Sequence, residues 1–255
     1  MKNAKRIAIE AALKSGRFIK ESVGKAYNVS YKGRDNIVTD IDKRSEKMII
    51  DKISSAFPEH SILSEESSPR SGTSPYRWII DPLDGTTNFA HAFPFFCVSI
   101  GLERSGVIEM GVVYDPMRDE LFHAEAGKGS YLNKKRIFVS KVRKISEAFL
   151  ATGFSYGITS KDRNIKHFRN LLIRSLAIRR AGSAALDLCY VACGRFDGFW
   201  EMNLHPWDSA AGLLIVREAS GRVTKFDGSN YTPYDKDILA TNGFIHNEMI
   251  KALSK

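Results

Sequence analysis

Five short runs rich in β-branched and aromatic residues follow one another between residues 76 and 140 of this chain. In order they read RWIID, FCVSIGLER, IEMGVVYD, ELFHAEA and RIFVS, and turns rich in Gly, Asp and Pro separate them. Runs of this composition, bounded by such turns, are typical of β-strands. This part of the chain is therefore predicted to form a largely antiparallel sheet.

Two helices are predicted before this sheet. Apolar residues recur at helical spacing in the first segment, which ends near Gly24. In the second, Thr39 or Asp40 can serve as N-cap, and one apolar stripe continues until Pro58 stops it. Beyond about residue 145, candidate strands (AFLATG, GFWEM and ILATN) alternate with predicted helices at residues 161–176, 183–193, 208–219 and 245–254.

The basic stretch SKVRKISE, residues 140–147, is the best candidate for a boundary between two parts. It is too short to let two parts move freely, so residues 1–143 and 144–255 are predicted to pack closely together. The sequence contains no internal repeat and no low-complexity linker. We expect a layered α/β protein with a cleft shared between its two parts.

Composition excludes several classes of protein. The chain has 255 residues, 43% of them hydrophobic and 26% charged, so it can bury a large core, and no apolar run approaches a membrane span. The N-terminal segment lacks the continuous apolar centre of a secretory signal, which predicts a cytoplasmic protein. Three cysteines with no CxxC pair argue against a disulfide framework and a structural zinc site. The net charge of +9 suits nucleic acid, anionic lipid or a phosphorylated metabolite, and does not choose among them.

Two carboxylates stand at the end of the first β-rich run, in WIIDPLDGTTNF, residues 78–89. Pro82 separates them, and because proline disrupts a central strand we expect the strand to stop there, with both side chains in the loop above the sheet. Asp followed by Gly is common in turns, which explains Asp84 before Gly85. A carboxylate directly after an apolar run, as at Asp81, costs free energy when it has no partner. Hard divalent cations supply that partner, and two of them sharing carboxylates form the arrangement that cleaves phosphoesters.

The residues after Asp84 predict the anion that those cations would hold. Gly85 permits close approach of the backbone, and Thr86 or Thr87 can cap a helix whose free N–H groups point at a phosphate. Negative charge and an anion-binding turn are then complementary. The carboxylates hold cations, the cations hold the phosphate, and the turn holds its other side.

Two metal ions need further ligands, and the sequence offers them at two other places. Glu65 and Glu66 follow an apolar pair, and Asp208 begins a predicted helix. Each of these residues could instead have a purely structural role, because acidic residues are common in loops and Asp is common as a helix N-cap. Asp42 has one as well, since Thr39 and Asp42 have the spacing of a capping box.

Together these motifs resemble those of the inositol monophosphatase family of Mg²⁺-dependent, lithium-sensitive phosphatases. The resemblance covers essentially the whole chain and includes the order and spacing of VTDID (38–42), SEES (64–67), DPLDGTTNF (81–89), GSAA (182–185) and WDSAAG (207–212). It implies a sugar-phosphatase fold of the α/β class, a five-layered α-β-α-β-α sandwich with a largely antiparallel N-terminal sheet and a smaller mixed C-terminal sheet. It also implies a homodimer with metal ions between the two halves of each chain.

The resemblance further implies a role for individual residues. Two or three Mg²⁺ ions, or Mn²⁺, would be held by the carboxylates of Glu65, Asp81, Asp84 and Asp208 and by the carbonyl of Leu83. Glu65 and Thr86 would orient and activate the attacking water, with Asp42 close to that network. The substrate would contact Asp84, Gly85, Thr86, Gly182, Ser183, Ala184, Glu201 and Asp208.

Three further positions differ from the family's motifs or lie beside them. Ser64 stands where the family often has Gly, a change that should leave Glu65 able to bind metal. The lysine expected before the first motif could be Lys32, although its loop is shorter than in animal members. His205 is the histidine nearest the predicted site, where a structural or supporting role is commoner than a direct one.

The substrate is left open by the sequence. Residues 86–89 read TTNF, whereas relatives that act on 3′-phosphoadenosine 5′-phosphate commonly have TKEF, so myo-inositol monophosphate or a related sugar phosphate is favoured. Fructose 1,6-bisphosphate stays open, because some microbial members accept both. A different class of function, an RNA or transcription-complex accessory protein, is suggested by the charge of +9 and by bacterial relatives, but no nucleic-acid-binding motif supports it.

Overall fold

The computed structural model describes residues 2–25, 27–32, 36–155, 159 and 162–254. The first helix, α1, spans Lys2–Ser22 and is followed by a hairpin of β1 (Val29–Lys32) and β2 (Asn36–Thr39). The second helix, α2 (Asp40–Ala56), begins at an N-cap, Thr39, that forms the predicted capping box with Asp42. Both predicted N-terminal helices are thereby confirmed.

A seven-stranded sheet follows, in the order β3-β4-β5-β6-β7-β8-β9. Its strands are β3 (Ser61–Ser64), β4 (Tyr76–Asp84), β5 (Cys97–Arg104), β6 (Val107–Asp115), β7 (Glu120–Glu125), β8 (Ser130–Leu132) and β9 (Lys135–Ile137). All neighbours are antiparallel except β3 and β4, which are parallel. The largely antiparallel sheet predicted from the sequence is confirmed.

The expectation that β4 stops at Pro82 is wrong, because the strand continues to Asp84 in the interior of the sheet. Its pairing with β5 shifts between Asp81, opposite Ser99, and Asp84, opposite Cys97. One extra residue therefore lies on β4, which is a β-bulge. A bulge accommodates a proline because the missing N–H would leave a regular ladder one hydrogen bond short.

The C-terminal half contains a five-stranded mixed sheet in the order β11-β10-β12-β14-β13. Its strands are β10 (Phe149–Thr152), β11 (Ala177–Arg179), β12 (Gly198–Met202), β13 (Arg222–Thr224) and β14 (Asp237–Thr241). The helices are α3 (Thr86–Ala90), which follows β4, and then α4 (Arg163–Leu172), α5 (Ala184–Ala192), α6 (Pro206–Glu218) and α7 (His246–Leu253). A single 3₁₀ turn, Ile145–Glu147, precedes β10.

These elements stack in five layers. Helices α1 and α2 cover one face of the large sheet, where Trp78 and Ile80 join their core. The other face, which includes Ile79, shares a core with α5, α6 and the smaller sheet. Helices α4 and α7 pack on the outer face of the smaller sheet around Trp200. This is the predicted α-β-α-β-α order; the division at residues 143 and 144 stays a prediction.

Helix α6 lies very close to the large sheet. A Cβ on Gly111 of β6 would lie 2.5 Å from the carbonyl oxygen of Ala211 on α6, closer than atoms can pack. The small residues on both sides therefore permit this approach. None of the described helices is long and apolar enough to cross a membrane.

Candidate active site

A cavity of about 590 Å³ opens between the two sheets. Elements from both halves of the chain line it, including the ends of β3 and β4, the start of α3 and the N-terminal turns of α5 and α6. Of the residues predicted for the site, it brings together Glu65, Asp81, Leu83, Asp84, Gly85, Thr86, Gly182, Ser183, Ala184, Glu201, His205 and Asp208. Residues far apart in the sequence therefore share one chamber.

Glu65 and Asp81 are neighbours because β3 and β4 run parallel, with Ser64 paired with Ile80. The carboxyl ends of the two strands meet at the same edge of the sheet, so both acidic side chains leave it together. Ser64, which replaces the more usual Gly, donates its hydroxyl to Oε2 of Glu46 at 2.5 Å. The N–H of Glu66 donates to the same oxygen at 2.9 Å. Glu46 thus fixes the turn that carries Glu65.

Asp84 connects the large sheet to α5. Its Oδ2 accepts hydrogen bonds from the hydroxyl of Ser183 at 2.6 Å and from the N–H of Ala185 at 2.8 Å. Ser183 is also the N-cap of α5, since its Oγ accepts from the N–H of Leu186. The sequence predicted Ser183 only as a substrate contact, and the structure shows that it also orients Asp84.

Asp208 lies in the first turn of α6, with Oδ2 accepting the N–H of His205 at 2.7 Å. The sequence predicted that the helix begins at Asp208, but it begins two residues earlier, at Pro206. Proline is well suited to a first turn, where its missing N–H costs nothing. The rings of His205 and Trp207 stack with centroids 4.8 Å apart, and both line the cavity.

The carboxylates interact strongly with one another. Burial, and then the negative charges of Glu65, Asp84 and Asp208, raise the pKa of Asp81 well above its ordinary value. Burial followed by the charge of Asp84 does the same to the pKa of Asp208. Burial also raises the pKa of Asp84, against hydrogen bonds from Ser183 and the start of α5. Burial and mutual repulsion therefore disfavour the charged form of each carboxylate, and a neighbouring cation would offset that cost.

These residues fit a hard divalent cation by their chemistry. All four side chains offer carboxylate oxygens, and the carbonyl of Leu83 borders the same cavity. Among the described residues, no three His, Cys, Asp or Glu side chains already form a group arranged to hold a metal ion. The assignment of a divalent cation therefore rests on the oxygen atoms that these residues offer and on their position around one cavity. It does not rest on a set of ligands already in coordination geometry.

Asp42 lies outside the lining of the cavity but contacts Thr86, which borders it. Its Oδ1 accepts the Thr86 hydroxyl at 2.7 Å, and the same hydroxyl lies 3.0 Å from the carbonyl oxygen of Leu83. The sequence offered a capping box or a site residue as alternatives for Asp42, and the side chain makes both sets of contacts. Burial raises the pKa of Asp42, while its hydrogen bonds to Thr39 and Thr86 oppose that shift.

The N-cap of α3 is Gly85, not Thr86 or Thr87 as the sequence suggested. Gly85 has φ +95°, a left-handed conformation that other residues rarely adopt. Thr86 is instead the first residue of α3 and directs its hydroxyl back toward Asp42. The glycine therefore makes the turn, and the hydroxyl of Thr86 is not needed as a helix cap and can contact the site.

Asn88 belongs to the motif DPLDGTTNF, and the sequence predicted no separate role for it. In the structure its side chain connects the two halves of the chain. Its Nδ2 lies 2.7 Å from the carbonyl oxygen of Phe95 and 2.8 Å from that of Ala181. The carbonyl of Gly182 is within 3.3 Å of the same atom. An amide that spans such distant segments could not be recognised from local sequence, because its partners lie 7 and 93 positions away.

The end of the cavity that carries Glu201 contains residues that sequence reasoning missed. Glu201 is 8% exposed, and burial followed by the charge of Asp84 raises its pKa to about 8. Asp187, Arg180 and Lys236 line the cavity as well. Lys32 lies at the end of β1, but its side chain is outside the described residues.

The chain is similar in sequence and in fold to known proteins. The sequence pattern of the inositol monophosphatase family matches residues 1–255. An inositol-1-monophosphatase of Synechocystis sp. is 45% identical over 251 residues, covering 97% of this chain and 88% of that protein. The Nus factor SuhB of Escherichia coli K12 is 44% identical over 248 residues, covering 96% and 93%. The crystal structure of the extragenic suppressor protein suhB from Bartonella henselae matches with a TM-score of 0.96 at 44% identity, covering 99% of each chain.

Proposed function

The chain belongs to the inositol monophosphatase family and is a phosphatase, and from this premise we propose that it hydrolyses myo-inositol monophosphate, or a closely related sugar phosphate, with Mg²⁺. One observation carries the proposal. Four carboxylates, from β4, α6 and the turn after β3, converge on a cavity that also contains Glu201. That combination suits a phosphate held by metal ions and an alcohol held by a polar side chain.

Residues of the chain would position the reacting groups. Glu65, Asp81, Asp84, Asp208 and the carbonyl of Leu83 would hold the ions, which supply positive charge to the phosphate and lower the pKa of a bound water. Glu65 and Thr86 would orient that water. A hydrogen bond already orients one of these carboxylates, because the N–H of Leu83 donates to Asp81 Oδ1 at 3.0 Å.

The alcohol part of the substrate would lie between the start of α5 and Glu201. Gly182, Ser183 and Ala184 border this part of the cavity. The N–H groups of Gly85 and Thr86 would bind the phosphate from the other side. No covalent nucleophile is required by this scheme, because the attacking group is a water.

The experiment measures phosphate release with Mg²⁺ from myo-inositol 1-phosphate, fructose 1,6-bisphosphate and 3′-phosphoadenosine 5′-phosphate. We expect the first to be cleaved with the highest kcat/KM. The variant Asp84→Asn should lose about a thousandfold in kcat/KM, because a catalytic metal ion contributes several kcal/mol and 1.36 kcal/mol corresponds to a tenfold rate. A preference for either of the other two substrates would replace the proposed substrate and leave the site assignment in place.

A matched control is Asp51→Asn. Asp51 is exposed and pairs with Lys47 on the surface of α2, where an ion pair contributes little. It should retain the activity of the unmodified chain. Folded wild-type protein that cleaves none of the three substrates with Mg²⁺ or Mn²⁺ would remove the proposal.

A homodimer and a cytoplasmic location stay predictions, and one surface supports the first. Leu172, Ile173 and Leu176 are 48%, 78% and 69% exposed, and they lead into β11, the edge strand of the smaller sheet. Exposed apolar side chains beside an open sheet edge are typical of an interface. We propose that a second copy of the chain covers this surface.

A second candidate function is RNA binding. The charge of +9 and the 44% identity to a relative named Nus factor SuhB favour it. Such binding should weaken steeply with salt and should survive loss of the metal ligands. Retention of the Asp84→Asn variant on immobilised RNA at moderate salt would support this candidate function. Recovery of the variant in the flow-through would exclude it.

A further inference from the structure

Asp187 is a buried carboxyl group that the proposed hydrolysis does not use. It lies in the first turn of α5 and is 1% exposed. Within the described part of the chain, its Oδ1 atom has no hydrogen-bond partner. A buried polar atom left unpaired costs about 1–3 kcal/mol. A group retained at that cost is expected to have a partner in another state of the protein.

Glu201 is one residue that can become this partner. Both side chains line the same cavity, Asp187 from α5 and Glu201 from β12. Burial, and then the charge of Glu201, raise the pKa of Asp187 well above its ordinary value. Two like charges in one buried cavity are unfavourable, so the two carboxyl groups favour a state in which they share one proton.

The backbone holds both side chains in place. A Cβ on Gly153 would lie 2.2 Å from either carboxylate oxygen of Glu201, so this carboxylate packs directly against the backbone. The start of α5 is held by Asp84, which accepts from Ser183 and Ala185. The two elements that carry these acids are therefore both fixed at the border of the cavity.

We propose that Asp187 is a positioning residue for Glu201, donating a hydrogen bond that fixes the Glu201 carboxylate as an acceptor for a hydroxyl group of the substrate alcohol. The inference rests on the proposed function, and it narrows the substrate class to phosphate esters of polyols. Hydrogen bonds of this kind are often long in an unbound site and shorten when the substrate is present. Asp187 does not touch the reacting atoms in this scheme.

The experiment compares two substrates, myo-inositol 1-phosphate and p-nitrophenyl phosphate, whose leaving group has no further hydroxyl. We expect Asp187→Leu to raise KM for the inositol ester about tenfold, because one hydrogen bond to a charged group is lost. Its kcat/KM for p-nitrophenyl phosphate should stay within about twofold. Asp187→Asn keeps a donor and should restore the KM for the inositol ester, and the difference between the two substrates separates this role from a role in packing alone.

A double-mutant cycle with Glu201→Gln adds a second readout. In that background the change at Asp187 should have little further effect on KM, because the group that it positions is altered. Thermal unfolding checks that the variants fold, and Asp187→Ala carries the same expectation if the leucine variant does not.

Three outcomes would overturn the inference. Equal losses on both substrates would make Asp187 a structural residue, and unchanged kinetics on both would leave it without a role. In either case wild-type activity on the inositol ester keeps the proposed function intact. Wild-type protein that cleaves only p-nitrophenyl phosphate would instead overturn the proposed substrate and this inference together.

Discussion

The hydroxyl of Thr86 lies 2.7 Å from Oδ1 of Asp42, although the two buried residues are 44 positions apart in the chain. The other oxygen, Oδ2, accepts both the N–H and the hydroxyl of Thr39. One carboxylate therefore closes the N-terminus of α2 and fixes the first residue of α3. The position of Thr86 in the cavity depends on the start of a different helix.

This relationship predicts different results for two substitutions of Thr86. Thr86→Val keeps the shape but removes the donor, so Asp42 Oδ1 is left buried without its partner and stability should fall by about 1–3 kcal/mol. Thr86→Ser keeps the hydroxyl and should lose much less. Urea denaturation measures the difference, and phosphate release should fall in the same order. Equal stability of the two variants would show that the hydroxyl is not needed.

Glu201 predicts a pH dependence of stability in metal-free protein. Burial and then the charge of Asp84 raise its pKa to about 8, whereas an unfolded glutamate titrates near 4.3. Between these values the folded chain holds a proton that the unfolded chain has released, so stability falls as pH rises and levels off above about 8. Denaturation in EDTA from pH 5 to 9 should show this, with a smaller fall for Glu201→Gln. An identical slope for the variant would contradict the prediction.

Gly111→Ala should separate α6 from the large sheet. The added Cβ would lie 2.5 Å from the carbonyl oxygen of Ala211, and overpacking of this kind typically costs about 1–3 kcal/mol. Because Asp208 lies on the same helix, activity should fall as well. Val107→Ala is a suitable control, since Val107 is 64% exposed and lies on the same strand. Thermal unfolding should move only for the glycine variant.

The exposed surface beside β11 predicts the oligomeric state. Replacing Ile173 and Leu176 by Lys adds charge to the proposed interface, so the variant should be monomeric at concentrations where the wild type is dimeric. Light scattering after gel filtration measures the mass directly. Phe244, which is 47% exposed, offers a control, and Phe244→Lys should leave the mass unchanged. A wild-type chain that is monomeric at high concentration would exclude the dimer.

Periodicity predicted the long elements because each has enough residues to show its repeat. The helices of the C-terminal half were expected within a few residues of their observed bounds. Strand β11, with three residues, carries no such signal. The helix expected over 161–176 begins later because Asp162 caps it, and it ends at Leu172. Short strands gain their stability from pairing with neighbours, which the local sequence does not show.

The candidate site was predictable where motifs carry it and not where tertiary contacts do. The acidic residues stand out because carboxylates beside apolar runs are unusual. Asp187 does not, since an acid in the first turn of a helix looks like ordinary favourable interaction with the helix dipole. Its unpaired oxygen and its place in the same cavity as Glu201 become visible only when α5 and β12 are assembled.

The bulge at Pro82 is another feature that depends on a tertiary contact and could not be predicted from the local sequence. Proline correctly predicts that the ladder is interrupted after Asp81, but the sequence cannot show whether the strand ends or bulges. The partner strand decides, because β5 continues past the interruption to Cys97. Asp84 is consequently the last residue of β4, paired with Cys97, and does not lie in a free loop.

Helix α6 also determines when this protein can finish folding as it leaves the ribosome. Its residues Ala210 and Ala211 cover the inner face of the large sheet, and Glu218 at its end accepts the N–H groups of Gly127 and Gly129, both at 2.7 Å. Ala211 is synthesised about 100 residues after Gly111, which at roughly 5–20 residues per second is a delay of roughly 5–20 seconds. Until α6 emerges this face of the sheet lacks its cover, so we expect the nascent chain to be most prone to aggregation and chaperone binding during that interval.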